Sequence, residues 1–331
     1  MQTSRKLALA LLAPLALLVM TSATRAADPG LIYPINSEVS DQKAGSLLIY
    51  NAFTSSQATP GTQDSRVSIT NTSSTSSAFV HFFFVEGSTC SIADNFMCLT
   101  ANETLSFLTS DVDPGTSGYI VAYAIDQNGL PAVHNFLIGS VYLKYSTGHG
   151  GGLGAEAFSK LTDANVVNTD GTLAGLFFDG LALPGSYNRV PRVLALDNIP
   201  SRASGNDTLL IVNRIGGNLA IGAATLGTLF GRLFDDAENA LSFNINGRCQ
   251  LSGSLSDSFP RTAPRFSDFI PAGHSGWLEI YSFSDIGILG ASINFNPNAG
   301  TKGAFNGAHN LHKLTLSAAS NYVVPIFNPS C

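Results

Sequence analysis

The stretch GTSGYIVAYA, residues 115–124, recurs later in the chain as GHSGWLEIYS, residues 273–282. The two stretches share Gly, Ser, Gly and Tyr at matched positions, and three further positions are conservative. A second pair lies upstream in the same order, with SRVSITN at 65–71 and DTLLIVN at 207–213, each followed by an apolar run that contains Phe. Two matched blocks in the same order predict a duplicated unit, and therefore two related domains.

The composition favours strands and turns over exposed helices. Only 12% of the residues are charged, 44% are apolar, and the chain has 32 glycines, whereas exposed helices usually carry charge on their outer face. Arg66–Asn71 alternates apolar and polar residues, and Ala78–Val85 is apolar except for His81. Short strands at roughly ten-residue spacing, separated by Pro, Gly and Asn, are typical of an antiparallel β-sandwich. No βαβ alternation indicates a doubly wound sheet.

We therefore predict an all-β protein with two related antiparallel β-sandwich domains of immunoglobulin-like type. One short helix, Ala155–Leu161, is expected in the connection between them. The predicted segments are a signal peptide (1–26), an extended leader (27–44), β-sandwich domain 1 (45–145), a Gly-rich connection with the short helix (146–191) and β-sandwich domain 2 (192–331).

The first residues have the layout of a secretory signal peptide. Arg5 and Lys6 precede the apolar run Leu7–Met20, and Thr24 and Ala26 are small residues before a cleavage site. An uncleaved membrane anchor is the alternative, but the apolar run is short for a transmembrane helix. Cleavage would remove three cations and no acid, which changes the formal charge from −6 to −9. We expect a mature chain without a transmembrane segment that is secreted, periplasmic or on the cell surface.

The four cysteines fit an oxidising compartment. Cys90 and Cys98 are close in sequence and predict a short loop closed by a disulfide, which leaves Cys249 to pair with Cys331. Four cysteines allow three pairings, and proximity alone favours this one. Metal ligation is the competing interpretation, but there is no CxxC pair and no histidine at zinc spacing.

Several motifs resemble catalytic or phosphate-binding sites without meeting their requirements. Gly148–Gly154 is glycine-rich but matches neither GxGxxG nor a P-loop, so a flexible hinge is the better interpretation. His149 and the glycines after it have the form of a lipase oxyanion strand, but Ser117 and Ser275 lie in GxSGx rather than in a GxSxG nucleophile elbow. A net charge of −6 and a pI of about 5.4 argue against nucleic-acid binding.

Acidic and histidine pairs give weaker signals still. His309 and His312 could share a metal if helical, but nearby glycines favour a loop. Asp163–Asp170 lacks EF-hand spacing and is more simply a turn. The pairs Asp111/Asp113 and Asp235/Asp236 are too local in sequence to flank a glycosidic bond. We therefore expect no catalytic residues, no metal, no cofactor and no enzymatic activity.

One group of residues has binding potential. Trp277, Glu279 and Tyr281 share one face of a predicted strand, and two rings that flank a carboxylate could bind a sugar. The matched strand carries Tyr119, Val121 and Tyr123 at the same positions, which favours core packing for both strands. Glu279 keeps the ligand-binding alternative open, because a lone carboxylate is costly to bury.

Each half of the chain resembles the immunoglobulin-like, fibronectin-type sandwich domains of bacterial secreted and surface proteins. The resemblance is carried by a strand that ends in Asn71 or Asn213, a long apolar strand, and the turn Pro114–Tyr119 (PGTSGY) before another strand. It covers about two thirds of the mature chain and implies a fold and an extracellular setting, but no activity and no site residues. The cysteines do not lie at the inter-sheet positions of antibody domains.

The resulting functional hypothesis is a secreted or surface protein that is structural or adhesive, with envelope, matrix or glycan components as partners. The alternative is a protein that binds or acts on carbohydrate through the aromatic face around Trp277. Exposure of Trp277 in the structure discriminates between the two hypotheses.

Overall fold

The computed structural model describes residues 38–298, 300, 304–317 and 320–330. The predicted signal peptide, residues 27–37 of the predicted leader, and Cys331 lie outside these ranges.

The strands in chain order are β1 Leu47–Thr54, β2 Asp64–Asn71, β3 Ala78–Glu86, β4 Ile92–Leu99, β5 Thr104–Leu108, β6 Ser117–Ile125, β7 Leu137–Lys144, β8 Gly150–Gly154, β9 Glu156–Phe158, β10 Val166–Val167, β11 Leu173–Phe177, β12 Pro191–Pro200, β13 Asp207–Ile215, β14 Gly217–Asn218, β15 Gly222–Ala223, β16 Gly227–Asp235, β17 Ala240–Gly247, β18 Gln250–Ser254, β19 Ser275–Tyr281, β20 Gly287–Phe295, β21 Gly307–Asn310, β22 His312–Leu316 and β23 Asn321–Pro325.

The chain is all-β, as predicted from its composition and strand spacing. Two one-turn helices, α1 (Thr109–Val112) and α2 (Phe266–Phe269), and a short 3-10 helix, Arg202–Ser204, are the helical elements of the described residues. Within the same ranges, no helix is both long and apolar enough to cross a membrane.

Strands β1–β9 form the first repeat, which consists of a five-stranded and a four-stranded antiparallel sheet. The strand order is β4-β3-β6-β1-β9 in the larger sheet and β5-β2-β7-β8 in the smaller one. Apolar residues from both sheets, such as Tyr50, Phe82 and Ile120 from the larger and Val67 and Val141 from the smaller, form one buried core. Alternate residues of each strand point to opposite faces, so this core accounts for the period-2 pattern of β2.

The second repeat, β12–β13 and β16–β22, has the same topology. Its five-stranded sheet has the order β17-β16-β19-β12-β22, and its four-stranded sheet has the order β18-β13-β20-β21. Each strand corresponds to the strand at the same place in the first repeat, and α2 precedes β19 as α1 precedes β6. The prediction that the strands beginning at Tyr119 and Trp277 occupy equivalent positions is confirmed, because β6 and β19 are the central strands of the two larger sheets.

Gly118 and Gly276 are needed at the starts of these central strands for close packing. A Cβ atom at Gly118 would collide with the backbone oxygen of Val85, and one at Gly276 would collide with that of Phe234. The left-handed backbone conformation lies three residues earlier, at Gly115 with φ +87° and Gly273 with φ +82°. The shared glycines thus serve two purposes, a turn and a close approach of neighbouring strands.

The predicted helix Ala155–Leu161 is wrong, and so is the interpretation of the preceding glycines as a hinge. Gly150–Gly154 forms β8 against β7, and Glu156–Phe158 forms β9 against β1. Both segments therefore belong to the first repeat rather than to a connection. An isolated helix of this length is marginal, whereas the open edges of β1 and β7 offer backbone donors and acceptors that strands can satisfy.

A fifth sheet, which we call the covering sheet, is assembled from distant parts of the chain. Its order is β10-β11-β23-β14-β15, with β14 parallel to β23 and the other pairs antiparallel. It combines the segment between the repeats, the Ala/Gly-rich insertion of the second repeat and the last strand. Leu176, Phe178 and Tyr322 from this region pack in one buried core with Tyr119 and Tyr123 of β6. The covering sheet thus buries the outer face of the larger sheet of the first repeat.

The predicted disulfide pairing is wrong. Cys90 is bonded to Cys249, with 5.4 Å between their Cα atoms, and Cys98 is disulfide-bonded as well. The residues between Cys90 and Cys98 form most of the extended strand β4 rather than a loop. The six residue steps of strand from Ile92 to Cys98 span about 20 Å, which carries Cys98 too far from the turn that holds Cys90 for a disulfide. The bond instead joins the β3–β4 turn of the first repeat to the β17–β18 turn of the second.

Buried amides also connect the two repeats. Asn51 of β1 and Asn213 of β13 are fully buried. Asn213 Nδ2 donates to the backbone oxygen of Asn51 at 2.8 Å, and Asn51 Nδ2 donates to Asn310 Oδ1 at 2.9 Å. Because buried amides are costly when unpaired, these bonds fix the repeats in one arrangement.

Candidate functional site

The outer face of the larger sheet of the second repeat is exposed where β16 and β19 run side by side. Three cross-strand pairs lie on it, and we call these six residues the open face: Phe230/Tyr281, Arg232/Glu279 and Phe234/Trp277. The residues between them, such as Leu233 and Leu278, are fully buried on the inner face. The alternation of β16 and β19 therefore separates a core face from an accessible one.

Trp277 lies at one end of the open face and remains accessible. Its side chain is 40% exposed, and its ring stacks on Phe234 with 4.6 Å between centroids and 13° between planes. The guanidinium of Arg232 lies 5.7 Å from the centroid of the Phe234 ring. This contact is within the range of a cation–π interaction.

A charged pair occupies the middle of the open face. Arg232 Nε donates to Glu279 Oε2 at 3.0 Å, and Nη2 of the same guanidinium makes a second contact with that oxygen. The hydrogen bond to Glu279 raises the pKa of Arg232. The Arg232 side chain is 47% exposed and that of Glu279 is 16% exposed. The guanidinium is therefore the more accessible member of the pair.

Three rings form a second cluster at the other end. The ring centroids of Phe230 and Tyr281 are 5.5 Å apart, and Phe283 lies 5.4 Å from Phe230 and 5.7 Å from Tyr281. Phe283, just after β19, is 72% exposed. Large exposed apolar patches rimmed by polar groups mark interaction sites on soluble proteins.

Polar side chains border the open face on both sides. Ser242 and Asn244 of β17 are exposed and lie opposite Arg232 and Phe230. On the other side, β12 pairs with β19 and has a bulge at Asp197 and Asn198, which lie beside Trp277. Asp197 is 3.2 Å from His312 Nε2, and both residues line a cleft of about 450 Å³. Hydrogen-bonding groups thus flank the rings.

The expectation that Trp277, Glu279 and Tyr281 are core residues is wrong. Their counterparts Tyr119 and Tyr123 are fully buried, and Tyr119 Oη donates to the backbone oxygen of Arg214 at 3.1 Å. The two faces differ because the covering sheet lies over the first one. Trp277 is exposed and Glu279 and Tyr281 are partly exposed, so ligand binding by these three residues stays a prediction.

Sequence reasoning missed the half of the open face that lies on β16. Phe230, Arg232 and Phe234 alternate with Leu229 and Leu233 in the sequence. This alternation marks a strand with one buried face and one aromatic face. The register that places these three residues opposite Trp277, Glu279 and Tyr281 could not be obtained from the sequence.

The histidine and glycine motifs have structural roles. His149 is buried, and its ring nitrogens are hydrogen-bonded to Thr147 at 2.9 Å and to the backbone oxygen of Asp207 at 3.2 Å. His309 lies on β21 and contacts Ser292 at 2.8 Å, whereas His312 lies on β22. Among the residues that the structure describes, no three His, Cys, Asp or Glu side chains are grouped to hold a metal.

The serine and aspartate motifs also lie in strands and turns. Ser117 begins β6 and its hydroxyl lies 2.8 Å from that of Thr54, and Ser275 begins β19. Asp113 accepts from the Thr116 hydroxyl at 2.7 Å, and Asp235 accepts from the amide of Asn239 at 2.8 Å. Such contacts are typical of turn capping.

Comparisons with known proteins do not assign the chain to a family. No protein-family model matches the chain, and no curated protein matches it. Among solved structures, the major pilin of Streptococcus pyogenes is 7% identical with a TM-score of 0.21, covering 85% of this chain and 98% of its own. An oxalate decarboxylase of Lactobacillus farciminis is 8% identical with a TM-score of 0.17, covering 77% and 78%. The secreted serine protease VesC of Vibrio cholerae is 9% identical with a TM-score of 0.16, covering 81% and 48%. Likenesses this weak support no conclusion about fold or function.

Proposed function

We propose that this protein is a non-enzymatic, adhesive binding protein outside the cytoplasm that holds carbohydrate on the open face. One observation carries the proposal. The larger sheet of each repeat has an equivalent outer face. The covering sheet buries this face in the first repeat, whereas in the second repeat it is uncovered and carries aromatic and charged side chains. An exposed aromatic patch rimmed by polar groups is typical of an interaction site.

The chemistry of the open face suits a sugar. A sugar ring has apolar C–H surfaces that pack on aromatic rings and hydroxyl groups that need hydrogen-bond partners. Trp277 and Tyr281 supply the rings, and Arg232 supplies N–H groups beyond those that Glu279 accepts. Ser242 and Asn244 add hydroxyl and amide groups at the border.

The non-enzymatic part of the proposal rests on the state of the carboxylates. Glu279 is held by Arg232, and Asp197 beside the face is held by His312. Glycoside hydrolysis needs one carboxyl group that donates a proton and another that is free to attack or activate water. The setting outside the cytoplasm is supported by the signal-peptide sequence and by the Cys90–Cys249 disulfide, since such bonds persist in oxidising compartments.

A glycan array followed by affinity electrophoresis tests the proposal. Trp277→Ala should weaken binding about tenfold or more and leave the melting temperature nearly unchanged, because the ring is already partly exposed. Tyr142→Ala is the matched control, since Tyr142 is 55% exposed on β7 of the first repeat. It should bind like the wild type. A protein that binds no glycan but forms a dimer that Trp277→Ala dissociates would show the open face to be a protein interface.

A further inference from the structure

The aromatic residues of the open face, together with Phe283 just after β19, form two clusters at opposite ends of β19. The first ring cluster is Trp277 with Phe234, and the second ring cluster is Tyr281 with Phe230 and Phe283. Trp277 and Tyr281 are four residue steps apart along an extended strand, a distance of about 13 Å. A single sugar is of the size of one aromatic ring, so it cannot contact both clusters.

The surface between the clusters is polar and has no net formal charge. Arg232 and Glu279 neutralise each other there through the contacts described above. The exposed guanidinium retains N–H groups directed away from Glu279, which are suited to hydroxyl oxygens. The pair therefore has no net positive charge to attract a carboxylate or a sulfate group. The formal charge of −6 on the whole chain also disfavours an acidic ligand.

The open face is also a broad sheet surface rather than a socket. Its side chains stand on two neighbouring strands, and the exposed strand β17 continues the same surface on one side. A small ligand is usually bound in a concave pocket that buries most of its surface. An extended ligand can instead gain affinity by contacting several separated groups along a flat face.

From these three observations we infer that the open face binds an extended, uncharged polysaccharide chain laid along β19, with sugars stacked on both ring clusters. This inference rests on the proposed carbohydrate-binding function and specifies its substrate class. A span of about 13 Å corresponds to about three sugar units. Monosaccharides and disaccharides can then occupy only one cluster at a time.

Calorimetric titration with cello-, xylo- and manno-oligosaccharides, from monosaccharide to hexasaccharide, tests the inference. For at least one neutral series, affinity should rise steeply up to about three units, and the hexasaccharide should bind more than about tenfold tighter than the monosaccharide. Polygalacturonate, an acidic polymer, should bind more weakly than the preferred neutral chain.

Variants at the two ends of the face make the test specific. Trp277→Ala and Tyr281→Ala should each weaken hexasaccharide binding and abolish its advantage over the short sugars, whereas Tyr142→Ala should change neither. Melting temperatures close to that of the wild type confirm that the variants are folded. Equal affinity for monosaccharide and hexasaccharide, or a preference for polygalacturonate, overturns the extended-chain inference but leaves carbohydrate binding intact. Absence of binding to every sugar in the panel and on the array overturns both proposals.

Discussion

Tyr119 and Trp277 occupy the same position in the two repeats, yet Tyr119 is fully buried and Trp277 is 40% exposed. Both follow a buried glycine at the start of the central strand of a five-stranded sheet. The difference lies in what packs above them. Tyr322 of the covering sheet places its hydroxyl 3.5 Å from that of Tyr119, whereas Trp277 contacts Phe234 within its own sheet.

This relationship predicts that two matched substitutions destabilise the protein to very different extents. Tyr119→Ala opens a cavity between two sheets and should lower the free energy of unfolding by about 3–5 kcal/mol. Trp277→Ala removes a partly exposed ring and its stacking on Phe234, which should cost about 1 kcal/mol. Urea denaturation followed by circular dichroism measures both. Equal losses would contradict the assignment of one covered and one open face.

The duplication and the all-β fold could be predicted because they depend on local pattern. The alternation of β2 and the repeated glycines of β6 and β19 are visible in the sequence and are directly related to strand geometry. Exposure of Trp277 could not be predicted in this way. Alternation identifies residues that share a face, but β11 and β23, which cover one of the two faces, lie far away in sequence.

The same limit explains the errors in the connection and in the disulfides. Gly150–Gly154 and Glu156–Phe158 have little strand signal of their own, and they become strands because they pair with the edges of β7 and β1. Cys90 and Cys249 are 159 residues apart, so sequence proximity favours the wrong partner. In both cases, long-range pairing decides the structure.

Close packing at the two shared glycines predicts a strong effect of adding one methyl group. Gly118→Ala places its Cβ against the backbone oxygen of Val85, and relief requires β3 and β6 to separate. We expect a loss of about 1–3 kcal/mol in the free energy of unfolding. Gly152→Ala is the control, because no atom lies within 4 Å of its added Cβ, and it should be neutral or slightly stabilising. A tolerated Gly118→Ala would disprove the close approach.

The disulfide between the repeats predicts a defined peptide map and a large stabilisation. A non-reducing digest should contain a peptide that joins Cys90 to Cys249. In the chain-entropy model, a closed loop of this length contributes about 5 kcal/mol. Cys90→Ser with Cys249→Ser should therefore lower the melting temperature markedly. A digest that contains Cys90 joined to Cys98 would refute this pairing.

A buried histidine predicts the direction of the pH dependence. His81 is fully buried, and its Nε2 lies 2.8 Å from Asp94 Oδ2. Burial lowers the pKa of His81 from 6.5, and the hydrogen bond and charge of Asp94 partly oppose this shift. As the pH falls through about 6.5, the unfolded chain therefore binds a proton that the folded protein resists. This contribution to stability is complete above that pH and is lost as the pH falls towards the folded-state pKa.

Substitution of Asp94 tests this account of His81. Asp94→Asn removes the group that raises the pKa of His81, so the His81 ring should titrate at a lower pH in NMR spectra, and stability should be lost over a wider acidic range. Asp111→Asn, an exposed acid after β5, is the control and should leave the His81 titration unchanged. If the pKa of His81 rises or stays constant in Asp94→Asn, Asp94 does not stabilise the protonated ring, and the pH dependence has another origin.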